Sequence, residues 1–299
     1  MRLYDDELKI YYEIKEAQGD TYIVISDADK KLNGIDIPEE IEGRPVRHIA
    51  KKAFLGCKGL RHVSIPGTVR SVGEWAFAFC DNLTRVEMQR GRIELGKGVF
   101  KKDLNLREMD VYDEGTEGPD RIMVSRLMAA APVIMDAEYL LDTLHCGEDE
   151  WLCKWDTKLS HILSLKDDDG YHLYVLCGEE DLHFDYEEYL EYNREKKSSL
   201  CMLRLVNDIA LKEEDKEPLR DYLRDHTSGC ESEAAIRMLL KRHGDDRDYY
   251  RMMLDIGAIN DGNLEAVLNM MGDRHAQMKA YLIEECGKKK ADFFDDLLL

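Results

Sequence analysis

Apolar residues in the first third of the chain fall into columns 23 residues apart. Phe54, Phe77 and Phe100 make one column, and Ile49, Val72 and Leu95 a second. Leu60, Leu83 and Leu106; Val63, Val86 and Met109; and Ile65, Met88 and Val111 complete the set. Cys57 and Cys80 hold the same phase, with Asp103 in the third copy. Self-similarity at such a period predicts a solenoid, in which each turn buries its apolar side against its neighbours. Within a turn, His62-Val63-Ser64-Ile65 alternates, which predicts a short strand with Val63 and Ile65 inward and His62 and Ser64 outward. Pro66-Gly67 stops that strand, Val69 and Val72 return to the core, and Gly73 turns the chain again. Glu74 to Phe77 is expected to form a short helical turn with Ala76 and Phe77 inward. Upstream, Tyr11 to Ser26 alternates and predicts a β-hairpin cap around Gly19-Asp20.

The pattern changes after residue 112. Asp113 to Asp120 is charged and rich in Gly and Pro, which reads as a linker over 113–121. Beyond it the spacing turns helical. Ile122 to Ala131 and Asp136 to His145 are expected as helices flanking Pro132. Asp149 to Leu163 places Leu152, Trp155, Leu159 and Ile162 or Leu163 on one face. Tyr171 to Cys177 reads as a short strand or a buried turn. A long helix is expected from Asp185 to Leu211, with Leu200, Leu203 and Val206 on one stripe, and glycines 229, 244, 257, 272 and 287 punctuate shorter helices. A short solenoid bares an apolar end after Val111, so the following segment is expected to close it.

The motif Ile-x-x-x-Ala-Phe-x-x-Cys-x-x-Leu-x-x-Val-x-Ile-Pro, from Ile49 to Pro66, resembles the BspA-like (Treponema-type) leucine-rich repeat. The copy from Val72 to Met88 follows it, with Gln89 in place of the proline; the third, Leu95 to Val111, has Val99 for Ala and Asp103 for Cys. Gly34 to Pro38 with Ile41 to Val46 resembles a longer opening repeat. The resemblance spans roughly residues 10–112 and implies a binding surface, in some members on the cell exterior. Glu231 to Gly287 is similar to ankyrin-type or other helical-hairpin repeats. The expected architecture is thus α+β: a leucine-rich-repeat domain (1–112) with a β-hairpin cap, a linker (113–121) and an acidic helical domain (122–299, with hairpin repeats at 231–287).

Composition refines this. The 299 residues carry 42 Lys+Arg against 62 Asp+Glu, a formal charge of −20. Residues 1–118 hold 19 basic and 22 acidic side chains, so most of the excess lies beyond them. That balance argues against nucleic acid and anionic membrane as partners. No apolar run approaches the ~20 residues of a membrane span. The opening residues lack a secretory signal's apolar core, so a cytoplasmic location with reduced thiols is expected.

Candidate chemistry is sparse. Neither a nucleophile elbow nor a phosphate loop occurs. His172, Cys177 and His183 with Asp181 and Asp185 lack the paired spacing of a zinc site. Cys57 and Cys80 are expected side by side, as small buried fillers or, less favourably, as a disulfide. The sequence therefore predicts no catalysis, no metal and no cofactor. The binding candidates are the outward strand residues Asp36, His62, Ser64, Arg85, Glu87, Glu108 and Asp110, facing an unidentified protein partner. A merely solvated face is the competing reading. Two further alternatives are an unrecognised activity in the helical domain, with the repeats as a targeting module, and a surface adhesin. Arg90-Gly91-Arg92 with Lys97, Lys101 and Lys102 makes the third repeat basic, which suits an intramolecular contact. The tail Asp292 to Leu299 is expected as a final docked helix.

Overall fold

The computed structural model describes residues 2–17, 19–113, 118–172, 186–227 and 232–297, with side chains through residue 288. The chain divides into two compact units, Met1–Ser160 and His161–Leu299.

The first unit opens with β1 (Arg2–Asp5), β2 (Ile10–Ala17) and β3 (Asp20–Ala28), paired antiparallel about Gly19, whose φ of 87° suits the tight turn. This is the expected hairpin cap, extended by β1 on its outer edge. Two ladders follow. One continues the hairpin through β6 (Arg44–Ile49), β8 (Ser71–Val72) and β10 (Glu94–Leu95), with β5 (Glu40–Ile41) hooked onto β6. The other stacks β4 (Ile35–Asp36), β7 (His62–Ile65), β9 (Arg85–Gln89) and β11 (Glu108–Tyr112), all parallel.

Between the ladders run the apolar columns. Phe54 stacks on Phe77 at 4.8 Å between ring centroids, and Phe77 on Phe100 at 5.7 Å; all three are buried. Cys57 and Cys80 are free thiols, buried as fillers; the Cys80 thiol donates to the Phe54 carbonyl at 3.3 Å. The segment expected as a helical turn is a further ladder. Trp75, Phe77 and Phe79 donate their N–H groups to the carbonyls of Lys97, Val99 and Lys101 in the next turn. Aiming alternate N–H groups along the stack places Lys52, Trp75 and Gly98 in the left-handed region, and likewise Gly56, Phe79 and Lys102. At the opposite corner the turns approach closely: a Cβ on Gly73 would lie 2.4 Å from the Lys51 nitrogen, and one on Gly96 2.5 Å from that of Glu74.

Residues 119–160 belong to this unit. α1 (Pro119–Val133) packs along β11 and buries Leu127, Met128 and three alanines, covering the last turn. Pro132 sits inside its final turn, where the helix is already ending, rather than separating two helices. Residues 136–145 form a 3-10 turn (Glu138–Leu140) and loops, not the expected helix. Their polar groups serve the third repeat: Thr143 Oγ1 donates to the Gly91 carbonyl at 2.7 Å, Arg90 donates to the Leu144 carbonyl at 2.7 Å, and Glu138 accepts from the Gly98 N–H at 2.9 Å. α2 (Asp149–Ser164) buries Leu152, Trp155, Leu159 and Ile162 as its spacing predicts, and the Trp155 indole donates to the Leu127 carbonyl at 3.0 Å. The division at residue 160 therefore falls later than the 113–121 linker, because α1 is bonded into the stack.

In the second unit α3 (Tyr186–Val206) packs against α4 (Glu213–Asp225), α5 (Ala234–His243) and α6 (Arg247–Asp255). α7 (Leu264–Met271) packs on α8 (Ala276–Leu297). Gly257 and Gly272 take positive φ just past α6 and α7, where the sequence places helix ends. Gly287 does not end a helix: α8 runs through it to Leu297. Whether the tail docks lies outside the described residues, as do residues 173–177 of the segment expected as a short strand or a buried turn, whose Tyr171 and His172 are helical, and Cys177, Asp181, His183 and Asp185 of the weighed metal cluster.

Candidate functional site

The parallel register turns the outward positions of β4, β7, β9 and β11 into two straight rows about 4.8 Å apart per step. One row is His62, Arg85, Glu108; the other is Asp36, Ser64, Glu87, Asp110. All seven predicted residues thus lie on one ladder. Their inward neighbours Val63, Ile65, Val86, Met88 and Met109 are buried, which fixes the rows outward.

The electrostatics are internally paired. Arg85 reaches Glu87 at 2.7 Å, Glu108 at 3.5 Å and Asp110 at 3.8 Å. His62 Nε2 lies 3.9 Å from Asp36. The His62 ring rests over Gly34, where a Cβ would come within 2.0 Å of its Cε1, so glycine is what lets the imidazole lie flat there. Asp36, His62 and Arg85 are exposed, while Ser64, Glu87 and Glu108 are half-buried.

Asp110 differs from the expected solvent-facing residue. It is 6% exposed and takes a bidentate grip from Arg121 of α1, at 2.7 Å to Oδ1 and 2.6 Å to Oδ2. The same guanidinium lies 5.2 Å from the centre of the Tyr112 ring. Asp110 anchors the capping helix and is not open to a partner. Arg121 lies outside the repeat period, so the columns gave no signal for it.

The open part of this face offers both charge signs, an imidazole and a hydroxyl on a rigid grid. Among the described residues no group of three His, Cys, Asp or Glu side chains is arranged to hold a metal ion, and no helix is long and apolar enough to cross a membrane.

Parallel turns stacked in two strand ladders, with an aromatic column between them and covered ends, define a leucine-rich-repeat solenoid. Residues 28–120 match the family model described as BspA type leucine rich repeat region, with six copies, so this stretch of the chain is a BspA-type repeat array. Among solved structures, the chain is similar to a leucine-rich repeat protein of Treponema pallidum (27% identity, 38% of this chain and 52% of that one, TM-score 0.30). A leucine-rich cell surface protein of Faecalibacterium prausnitzii matches at 22% identity over 37% of this chain and 33% of that one (TM-score 0.32). A leucine-rich repeat protein of Bacteroides capillosus matches at 24% identity over 40% and 91% respectively (TM-score 0.33). The chain thus spans about half the length of the first and a third of the second. A comparison with curated proteins gives no match. Repeat arrays of this type are typically non-catalytic and have protein-interaction or surface roles.

Proposed function

We propose that the chain is a non-catalytic interaction protein that binds a protein partner through the open strand face built by Asp36, His62, Ser64, Arg85, Glu87 and Glu108. The observation that supports it most is the grid itself. Two rows of polar side chains, held by backbone ladders, lose little conformational freedom on binding, and preorganisation of that kind favours recognition. Arg85, central among three carboxylates, is the natural anchor, since arginine is enriched among residues that dominate binding energy. We place this activity in the cytoplasm. A role on the cell exterior is the alternative that fractionation of the source cells separates, by showing the chain in the surface fraction.

The test exchanges the central pair. In the R85E/E87R chain the pair within β9 is kept, the contact of residue 85 with Glu108 becomes like-charged, and the displayed charges are reversed. Crosslinking capture from native lysate is expected to lose, with this chain, a protein that the original chain retains. If every copurifying protein is retained at its original level, with the circular dichroism spectrum unchanged, the strand face is only a solvated surface.

A further inference from the structure

The second ladder of the solenoid carries a polar feature of its own. β3, β6 and the residues just before β8 border a groove of about 330 Å³ lined by Tyr22, Arg47, His48 and Arg70, with Asp20 and Pro45 in its walls. Arg47 and Arg70 are one period apart, and the Arg70 N–H donates to the Arg47 carbonyl at 2.8 Å. Their side chains therefore spring from adjacent rungs of one ladder. His48 is in register with Ser71, its Nδ1 lies 2.8 Å from the Ser71 hydroxyl, and its ring meets that of Tyr22 edge-on at 5.2 Å. Nε2 is the ring nitrogen left for a ligand.

These two arginines, like Arg61 and Arg92, have no ion pair among the described residues, and they lie side by side in one groove. In a chain with a twenty-charge acidic excess, Arg2, Arg44, Arg85, Arg90 and Arg121 of the same unit each hold a carboxylate. Arg47 gives one N–H to the Thr68 carbonyl at 3.2 Å and has no ion pair among the described residues. Arg70, exposed, makes no side-chain hydrogen bond or ion pair among the described residues. The charged groups facing His48 are Arg70 and Arg47, opposed by Glu94 of β10, with Asp20 of β3 in the same groove. Burial and the two guanidiniums together hold the His48 imidazole below its ordinary value, against Glu94. The groove thus sets two guanidiniums beside His48, with Asp20 in its wall and Glu94 nearby.

We propose that this groove binds a compact ligand bearing a doubly charged oxyanion, of the phosphate-monoester class, held by the guanidiniums of Arg47 and Arg70 and by His48. Guanidinium forks match phosphate oxygens in geometry and stay charged at every working pH. A dianion balances two unpaired guanidiniums, whereas a single carboxylate leaves one uncompensated. The volume lies at the lower end of the ~300–1,000 Å³ usual for small-molecule sites, which leaves room for a body beside the Tyr22 ring as well as the anion. The site is separate from the strand face and does not depend on it.

Ring resonances of His48, assigned by their loss in H48Q, report binding in the full chain. Phenyl phosphate at millimolar concentration is expected to raise the His48 titration midpoint, because a bound dianion favours the imidazolium, and to shift the Tyr22 ring signals. R47A and R70A should each weaken binding by about tenfold or more. R92A, which removes an exposed arginine of the third repeat, should leave it unchanged. Inorganic phosphate producing the same His48 shift would support the site as one for the anion itself; a response to phenyl phosphate alone would support an ester. A His48 midpoint that moves with neither probe, or moves equally in R70A and in R92A, overturns the proposal.

Discussion

In Met1–Ser160 one set of contacts recurs at a fixed interval, whereas in His161–Leu299 each helix is held by contacts made once. Phe77 stacks on a phenylalanine above and another below, and its backbone N–H joins the next turn. In the helical unit, Arg204 is fully buried and donates to the carbonyls of Asn207 at 2.6 Å and Ile209 at 2.9 Å, closing the end of α3. Asp167 is a similar local device. Burial alone would raise its carboxyl, but Lys197 and Arg194 hold it below the usual range. The difference concerns how damage travels: along the whole stack in one unit, within a single helix end in the other.

The largest expected effect breaks the stack. Phe77→Ala removes the middle ring of the column and should cost about 3–5 kcal/mol, as aromatic truncations in packed cores do. Amide exchange should quicken in both adjacent turns, since each turn is stable only through its neighbours. Phe54→Ala, at the end of the column, should cost less. Equal losses for the two would show that the turns are not coupled as stacking implies.

Arg204→Met comes next. It keeps the apolar stem and removes the charge, leaving carbonyls at the end of α3 without their donor, at about 2–4 kcal/mol. Amide exchange measured by mass spectrometry should quicken in residues 200–215 and leave the solenoid amides unaffected. A response spread evenly over the chain would erase the contrast between the units.

The same contrast decides what the sequence reveals. Five apolar columns at one spacing fix the solenoid, its strand positions and its outward rows, because a repeated burial pattern is written several times. Interactions made once leave no such trace. Arg121 captures Asp110 from outside the period, and Thr143 and Glu138 serve the third repeat from a segment whose apolar spacing resembles a helix. The groove was written in the sequence only as Arg47 and Arg70 at the repeat distance. A polar pair in two copies is a weak signal beside apolar columns in three. The left-handed columns were hidden for a different reason, since glycine occupies only Gly98 in one and Gly56 in the other.

Asp103 shows what happens when one member of a column changes chemistry. It stands where the motif has cysteine, accepts from the Cys80 N–H at 2.8 Å and is fully buried. Burial pushes its carboxyl up to about 8 from 3.8, with Asp81 adding to the rise and the Cys80 N–H opposing it. Between about pH 4 and pH 8 the folded chain keeps this proton and the unfolded chain has released it. Stability should therefore fall as pH rises through that window and level off above it. Asp103→Cys restores the column. It should remove this part of the slope, so that the melting temperature at pH 8.5 gains relative to pH 5, by the equivalent of about 4 kcal/mol. A variant with the same pH profile as the original would mean that Asp103 ionises freely in the fold.

The smallest effect sharpens the comparison from the other side, because it should stabilise. Lys102 has φ 68°, in the column whose first member is Gly56 at 68° and second is Phe79 at 60°. The ladder imposes this conformation: Phe79 donates to the Lys101 carbonyl, and the backbone must reverse immediately after it. A residue with a Cβ loses roughly 1–2 kcal/mol in the left-handed region, part of which glycine returns through its greater freedom in the unfolded chain. Lys102 is exposed, so its side chain contributes little packing to offset the strain. Lys102→Gly should therefore raise stability by about 0.5–1 kcal/mol in urea unfolding. The same change at Phe79 should gain less, because that ring packs against Trp75 at 6.2 Å between centroids. In the helical unit a glycine placed at an exposed α4 position such as Asp221 should instead destabilise, by about 0.3 kcal/mol in helix propensity. Opposite signs for one substitution in the two units would tie the left-handed columns to the ladder. A loss at Lys102 would show that the turn adopts another backbone conformation in solution.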